Sequence, residues 1–123
     1  MAEIAFTSIT FHGEGRVYLW EGLASGDTGQ PLTVVSGQDQ VTVKFEGTVG
    51  TSTARLRGNI GGGAVSAILD DAFGAAISTT AAFNANAFMK PVGPNVVSLW
   101  PEISGGAGAD VDVYAFVATQ VRP

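Results

Sequence analysis

The chain has a single histidine, His12, which is the first residue to consider for catalysis. It lies in the segment FHGEG, and Glu14 is the nearest acid. A Ser-His-Asp mechanism needs a histidine that a buried acid orients and that points at a serine. An acid between two glycines near the N-terminus is poorly placed to hold that orientation. We therefore predict that His12 is a solvated loop residue and not a general base.

Paired acids and glycine clusters are the next candidates, as metal or phosphate sites. Asp110 and Asp112 would share one face of a strand. Calcium takes about six to eight oxygen ligands, and the alanine and valines around this pair add no side-chain oxygen. The glycines at 61–63 are not followed by the lysine and hydroxyl residue of a phosphate-binding loop. The chain also has no cysteine. We predict no metal site, no cofactor and no enzymatic activity.

Four aromatic residues have a different kind of chemistry to offer: Tyr18, Trp20, Trp100 and Tyr114. Their ring faces could stack on the C–H groups of sugars and form a carbohydrate-binding platform. The competing interpretation is that they pack in the core or against another subunit, because large aromatic residues dominate both environments. We favour core or subunit contact and keep carbohydrate binding as the alternative.

Composition excludes several other classes of partner. Of 123 residues, 46% are hydrophobic and 14% are charged, which indicates one folded domain. No apolar run approaches the ~18 residues of a membrane helix, and the N-terminus lacks the basic and apolar regions of an export signal. The net charge is −5, and the basic residues are scattered apart from Arg55 and Arg57. We therefore expect no membrane and no nucleic-acid partner.

Alternation of apolar and polar residues identifies the strands that must position these side chains. Val41–Glu46 and Ala54–Ile60 both alternate strictly, and the second places Leu56 and Ile60 inward with two arginines outward. The short connection at 47–52 predicts that the two strands form an antiparallel hairpin. About seven or eight such short strands predict an all-β fold, an antiparallel β-sandwich of jelly-roll or Ig-like type.

A glycine-rich turn at 104–108 leads directly into the most regular of these strands. Ala109 to Val117 alternates valine and alanine against Asp110, Asp112, Tyr114 and Phe116. The outward side therefore begins acidic and ends aromatic, and the aromatic half would need a cover. With few charges to protect the sheet edges, we expect neighbouring subunits to cover them.

The N-terminal residues 1–15 form either an arm or the first strand, ahead of a sandwich domain at 16–123. The segment mixes Ile4, Phe6, Ile9 and Phe11 with small polar residues. As an arm it would lie across a neighbouring subunit. As a strand it would belong to the sandwich, and the sequence leaves both alternatives open.

Three stretches of the chain resemble a group of small tailed-bacteriophage virion proteins. WEGLASGDTGQPLTVVSGQDQVTVKFEGTVG, residues 20–50, is similar to that group's opening, in which a "W-x-G-L-x-x-G-D-T-G-x-P" segment leads into an alternating strand and then "x-G-T-x-G". DDAFGAAISTTAAFNA, residues 70–85, resembles "D-P-x-G-N-A-L-S-F-T-A-A-G", and LWPEISGGAGADVDVYAF, residues 99–116, resembles "Y-I-R-P-x-V-x-G-G-D-G-T-T-x-L-x-V". The order and spacing of the three agree.

This resemblance implies a capsid decoration, cement or head-stabilising protein. Such a protein would be made in the host cytoplasm and would sit on the exterior of the virion as a homotrimer that binds the major capsid protein. The alternative is a carbohydrate-binding or host-attachment module on the virion surface. The residues that we predict to contact a partner are Ile4, Phe6, Phe11, Trp20, Trp100, Tyr114 and Phe116.

Overall fold

The structure, a computed structural model, describes residues 2–10, 15–34, 39–60, 66–79, 88–92 and 97–119. These residues form twelve strands and no helix, which confirms the all-β prediction. Seven strands have four residues or more and five have two. The described part of the chain has no helix that could span a membrane. The strands are β1 Glu3–Ile4, β2 Phe6–Thr10, β3 Gly15–Leu23, β4 Thr28–Gly29, β5 Leu32–Thr33, β6 Asp39–Thr48, β7 Thr53–Asn59, β8 Ala67–Ile68, β9 Ser78–Thr79, β10 Phe88–Pro91, β11 Ser98–Ser104 and β12 Asp110–Thr119.

The strands pair into two sheets. Sheet I has five strands in the order β10-β6-β12-β3-β2, and all its pairs are antiparallel. Sheet II has seven strands in the order β1-β4-β11-β7-β8, with β5 also paired to β11 and β9 to β7. Its only parallel pair among the described strands is β1 with β4. The strand in the middle of sheet I, β12, therefore contacts β6 on one side and β3 on the other.

One core lies between the sheets, because alternate residues of the long strands from both sheets are buried in a single cluster. A bulge shifts the register of β3 against β12, where Gly22 adopts φ 72° and donates its N–H to Asp112 Oδ1 at 2.9 Å. The bulge allows Trp20 and Leu23, three positions apart, both to face the core. Residues with no exposed surface include Trp20, Leu23, Val43, Phe45, Val49, Ala54, Leu56, Ile77, Leu99, Ile103, Val111, Val113 and Ala115.

The predicted hairpin between residues 41–46 and 54–60 is wrong. Both segments are strands, but β6 belongs to sheet I and β7 to sheet II. The connection at residues 49–52 passes from one sheet to the other at the edge of the core. Val49 is fully buried there and Ser52 is only 1% exposed. Alternation requires each strand to bury one face, and two strands in opposite sheets satisfy that requirement as well as a hairpin does. Ile60 was predicted to face inward but is 72% exposed, because β7 ends at Asn59.

The glycine-rich turn at 105–108 packs backbone to backbone on this connection. Thr51 N–H donates to the Ala107 carbonyl at 3.0 Å, and Ala107 N–H donates to Thr51 Oγ1 at 2.9 Å. Ser52 Oγ donates to the Gly105 carbonyl at 2.7 Å. Gly106 has φ 63°, and a side chain there would overlap the backbone of residues 51 and 52. The turn thus joins the start of β12 to the crossing between the sheets.

The N-terminal segment contributes one strand to each sheet. β1 pairs with β4 in sheet II, and β2 pairs with β3 in sheet I. The carboxylate of Asp27, which is 9% exposed, accepts the N–H groups of Ala2 at 3.0 Å and Ala24 at 2.9 Å. Residues 3–4 and 6–10 are therefore paired with strands of the same chain.

Candidate functional site

The outer face of sheet I carries the aromatic half of β12. Tyr114 lies opposite Leu19 of β3 and Lys44 of β6, and Phe116 is 38% exposed. Residues directly opposite one another on paired strands project to the same face. The acidic-then-aromatic pattern of β12 therefore lies on the outside of the sandwich, as the alternation predicted.

An apolar row crosses three strands of this outer face. Phe116 of β12 lies opposite Val17 of β3, and Val17 lies opposite Ile9 of β2. Ile9 is 44% exposed. The Phe116 ring lies over Gly15, where a side chain would overlap it. We call Ile9, Val17 and Phe116 the apolar row. It is a contiguous hydrophobic surface on the outer face of sheet I, which makes it a candidate site of interaction.

A shallow groove of about 200 Å³ borders the apolar row on the side of β6. Its lining is Thr42, Lys44, Glu46, Tyr114 and Phe116. Lys44 Nζ lies 2.6 Å from Glu46 Oε2, and this hydrogen bond and the charge of Glu46 raise the pKa of Lys44 above its usual value. The groove therefore has aromatic walls and a charge-paired end.

Trp20 is not available to a partner, contrary to our prediction. It has no exposed surface, and its indole N–H donates to the Gln30 carbonyl at 3.0 Å. Phe6 is half-buried and makes edge-to-face contacts with Tyr18 at 5.4 Å and with Trp20 at 5.8 Å between ring centroids. Ile4 is also half-buried against the core. Most of the ring area of this cluster stabilises the fold, since aromatic side chains bury large areas when they pack together.

The remaining predicted residues separate into two places. Tyr114 and Phe116 come together on the outer face of sheet I, whereas Trp100 lies on the outer face of sheet II. Phe11 lies outside the described residues. Sequence reasoning did not select Ile9, Val17 or Leu19 as contact residues. The pairing of β2 with β3 and of β3 with β12 brings them next to Tyr114 and Phe116. No local sequence pattern predicts this strand pairing.

A second group of polar side chains lies beside Trp100 on sheet II. Arg55 Nε and Arg57 Nε lie 2.6 Å and 3.0 Å from the same oxygen, Glu102 Oε1. Arg57 donates a hydrogen bond to it, whereas Arg55 Nε is buried without a well-directed hydrogen bond. Trp100 is half-buried and lies directly across the strand pair from Arg57. We call Arg55, Arg57, Trp100 and Glu102 the Trp100 site.

Two acidic side chains, Asp112 of the pair considered for calcium and Asp71, accept hydrogen bonds from backbone N–H groups of the same chain. Asp112 accepts the N–H of Gly22, and Asp71 accepts the N–H groups of Phe73 at 2.8 Å and Ala75 at 3.0 Å. These bonds from Ala75 and Phe73 lower the pKa of Asp71. Among the described residues no group of three or more His, Cys, Asp or Glu could hold a metal ion. His12, Glu14 and the glycines at 61–63 lie outside the described residues.

No protein-family model and no curated protein matches the chain. Among solved structures it is similar to the SPBc2 prophage-derived protein YomS, with 19% identity, a TM-score of 0.61 and 93% of each chain covered. It is also similar to Aeromonas hydrophila PliG, a periplasmic inhibitor of g-type lysozyme, with 14% identity, a TM-score of 0.44 and coverage of 97% of this chain and 96% of PliG. A family 6 carbohydrate-binding module from Clostridium cellulolyticum matches at 12% identity and a TM-score of 0.39, over 95% of this chain and 88% of that module. At these identities the likeness to YomS shows a shared fold: the chain is a β-sandwich of the same architecture over nearly its whole length.

Proposed function

We propose that this chain is a structural virion protein that decorates and stabilises the outer surface of a bacteriophage capsid by binding the lattice of the major capsid protein. The observation that carries the proposal is the exposed apolar row on the outer face of sheet I, where Ile9 and Phe116 are 44% and 38% exposed. The resemblance of the sequence to small phage virion proteins supports it, as does the fold shared with a prophage-derived protein. A role as a surface cover also needs no catalytic group and no cofactor.

The size of this face indicates how such a protein would bind. Five strands spaced by about 4.8 Å span roughly 24 Å, and five residues of strand rise roughly 17 Å, so the face covers about 400 Å². A stable interface buries about 800 Å² on each partner. One such face alone would bind weakly. A homotrimer that presents three faces to a repeating lattice would gain affinity by multivalency, and we therefore propose a homotrimer on the capsid exterior.

The contribution of Phe116 can be worked out from its exposure. A phenylalanine has about 200 Å² of surface to bury, and 38% of that is still exposed in the isolated chain. Covering this remainder would contribute about 2 kcal/mol at 25 cal/mol per Å², which is a change of roughly 30-fold in affinity. Replacing the ring with a carboxylate would remove this contribution and add the cost of burying a charge.

The matched pair Phe116→Asp and Phe73→Asp tests the proposal. Phe73 is 87% exposed on a loop, so its variant makes the same chemical change away from sheet I. Capsids of the phage that encodes the chain, purified without the decoration protein, are mixed with each variant and sedimented. We expect Phe116→Asp to lose at least ~30-fold in affinity and Phe73→Asp to bind like the unmodified protein. Equal binding by both variants, with folding checked by circular dichroism, would refute the proposal.

A further inference from the structure

The Trp100 site holds an excess of positive charge in a chain whose net charge is −5. The two guanidinium groups share a single carboxylate, Glu102, through one of its oxygens. The three side chains are only 22–27% exposed, so this excess is less screened than it would be in open solvent. The described lysines are different, because Lys44 pairs with Glu46 and Lys90 lies 4.0 Å from Asp71.

Arg55 has hydrogen-bonding capacity that Glu102 does not satisfy. Its Nε is buried and lies 2.6 Å from Glu102 Oε1, yet the direction of the N–H does not make a hydrogen bond among the described residues. Arg57 already donates to that oxygen at 3.0 Å. A buried donor without an acceptor costs free energy and calls for an explanation. A second carboxylate at the exposed parts of the two guanidinium groups would supply the missing negative charge.

Trp100 provides an aromatic surface next to this charge. It lies opposite Arg57, and Glu102 follows two residues later on the same outer face of β11. Same-face residues two positions apart along a strand are separated by roughly 7 Å, so the indole and the Glu102 carboxylate are neighbours on this face. The aromatic contacts found among the described rings do not include Trp100.

The positions next to the site are mixed, because Ile68 of β8 lies opposite Arg57 and Ser78 of β9 lies opposite Arg55. Ser98 Oγ donates to Asn59 Oδ1 at 3.2 Å in the next pair of residues along β7 and β11, and Thr28 lies opposite Glu102 on β4. Glu3 follows in the same line on β1, two strands from Glu102, and is exposed. At two strand spacings, about 10 Å, its charge is largely screened at physiological ionic strength. Hydroxyl and amide groups in the pair next to an aromatic ring suit a sugar better than an apolar ligand.

We propose that the Trp100 site binds an acidic saccharide, with a sugar ring against the indole and its carboxylate against Arg55 and Arg57. Planar guanidinium groups match carboxylates with two parallel hydrogen bonds. The site lies on sheet II, opposite the face proposed to contact the capsid, so a decorated capsid would present it outward. The proposal stands independently of capsid binding, since the two faces share no residue.

Titration calorimetry with a galacturonic acid oligosaccharide and with its uncharged methyl ester tests this site. We expect saturable binding of the acidic form, at least ~10-fold weaker for the ester, and weaker binding as salt rises. Arg57→Gln and Trp100→Leu should each lower affinity for the acidic form by about 10-fold or more, and Arg57→Lys should recover only part of the loss because it lacks the planar fork. Arg16→Gln, an exposed arginine of sheet I, serves as the matched control and should bind normally.

The same variants define the results that would overturn the proposal. Equal affinity for the acid and its ester would show that the arginines do not bind the sugar carboxylate. Inorganic phosphate that binds as tightly as the saccharide, with no dependence on Trp100, would reduce the site to a simple anion site and overturn the saccharide assignment. Thermal unfolding of each variant identifies loss of fold, and Trp100→Phe, which keeps an aromatic ring, should retain binding if the ring face is what matters.

Discussion

The contact between the glycine-rich turn and the crossing of the sheets makes a quantitative prediction about two neighbouring glycines. Gly105 and Gly106 have nearly the same backbone conformation, with φ 65° and 63°. A side chain at Gly105 would meet nothing within 4 Å, whereas one at Gly106 would overlap the backbone of residues 51 and 52. Alanine at either position would destabilise the fold by about 1–2 kcal/mol, because a residue with a Cβ is unfavourable in the left-handed conformation. Only Gly106→Ala must also move the turn away from the crossing.

The additional cost at Gly106 follows from the bonds that this movement would break. Thr51 N–H to the Ala107 carbonyl at 3.0 Å and Ala107 N–H to Thr51 Oγ1 at 2.9 Å both depend on close approach. Each such bond contributes about 1 kcal/mol. We therefore expect Gly105→Ala to lower the free energy of unfolding by about 1–2 kcal/mol and Gly106→Ala by about 3–4 kcal/mol.

Urea unfolding followed by tryptophan fluorescence measures this difference, because Trp20 is fully buried and reports loss of the core. The expected gap of about 2 kcal/mol corresponds to a difference of roughly 8 °C in melting temperature for a chain of this size. If the two alanine variants unfold at the same urea concentration, the turn does not need close contact with residues 51 and 52. The reasoning about this loop contact would then be wrong.

Two further predictions concern buried polar groups. Hydrogen bonds from Ala75 and Phe73 lower the pKa of Asp71 in the folded chain. The stability that the Asp71 carboxylate contributes is therefore present above the unfolded pKa of about 3.9 and is lost as the pH falls through the lower folded pKa. Asp71→Asn should flatten the fall in urea midpoint below about pH 4, and an unchanged pH profile would contradict this. Ser52 is 1% exposed and donates to the Gly105 carbonyl at 2.7 Å, so Ser52→Ala should cost about 1 kcal/mol in thermal unfolding because it removes this hydrogen bond.

Alternation along single strands predicted much of the fold. The inward valines of β12, its outward Tyr114 and Phe116, and the strand at 41–46 are all as expected, because burial of one face depends only on the residues of that strand. The partner of each strand could not be predicted in the same way. The hairpin prediction failed because a short connection joins two sheets as readily as two neighbours in one sheet.

The candidate surfaces show the same limit. The alternation in β3 does not show which of its two faces is buried, so it does not assign Trp20 to the core. Only the pairing with β12 at the bulge near Gly22 and the contact with Phe6 do so. The apolar row depends on pairing between β2, β3 and β12, and Ile9 of β2 is more than a hundred residues before Phe116 of β12 in sequence. Arg55 and Arg57 were predicted to face outward, but their meeting with Glu102 required the pairing of β7 with β11.

The central position of β12 in sheet I has a consequence for biosynthesis. Its partners β3 and β6 are translated first, but they do not pair with each other in the folded sheet. The strand that joins them, β12, is complete only when residues 110–119 have left the ribosome. Such distant pairing makes folding slow and leaves unpaired strands exposed for longer. The chain should therefore acquire its native structure late in synthesis, all at once, and a ribosome stalled before residue 110 should carry a protease-sensitive and aggregation-prone polypeptide.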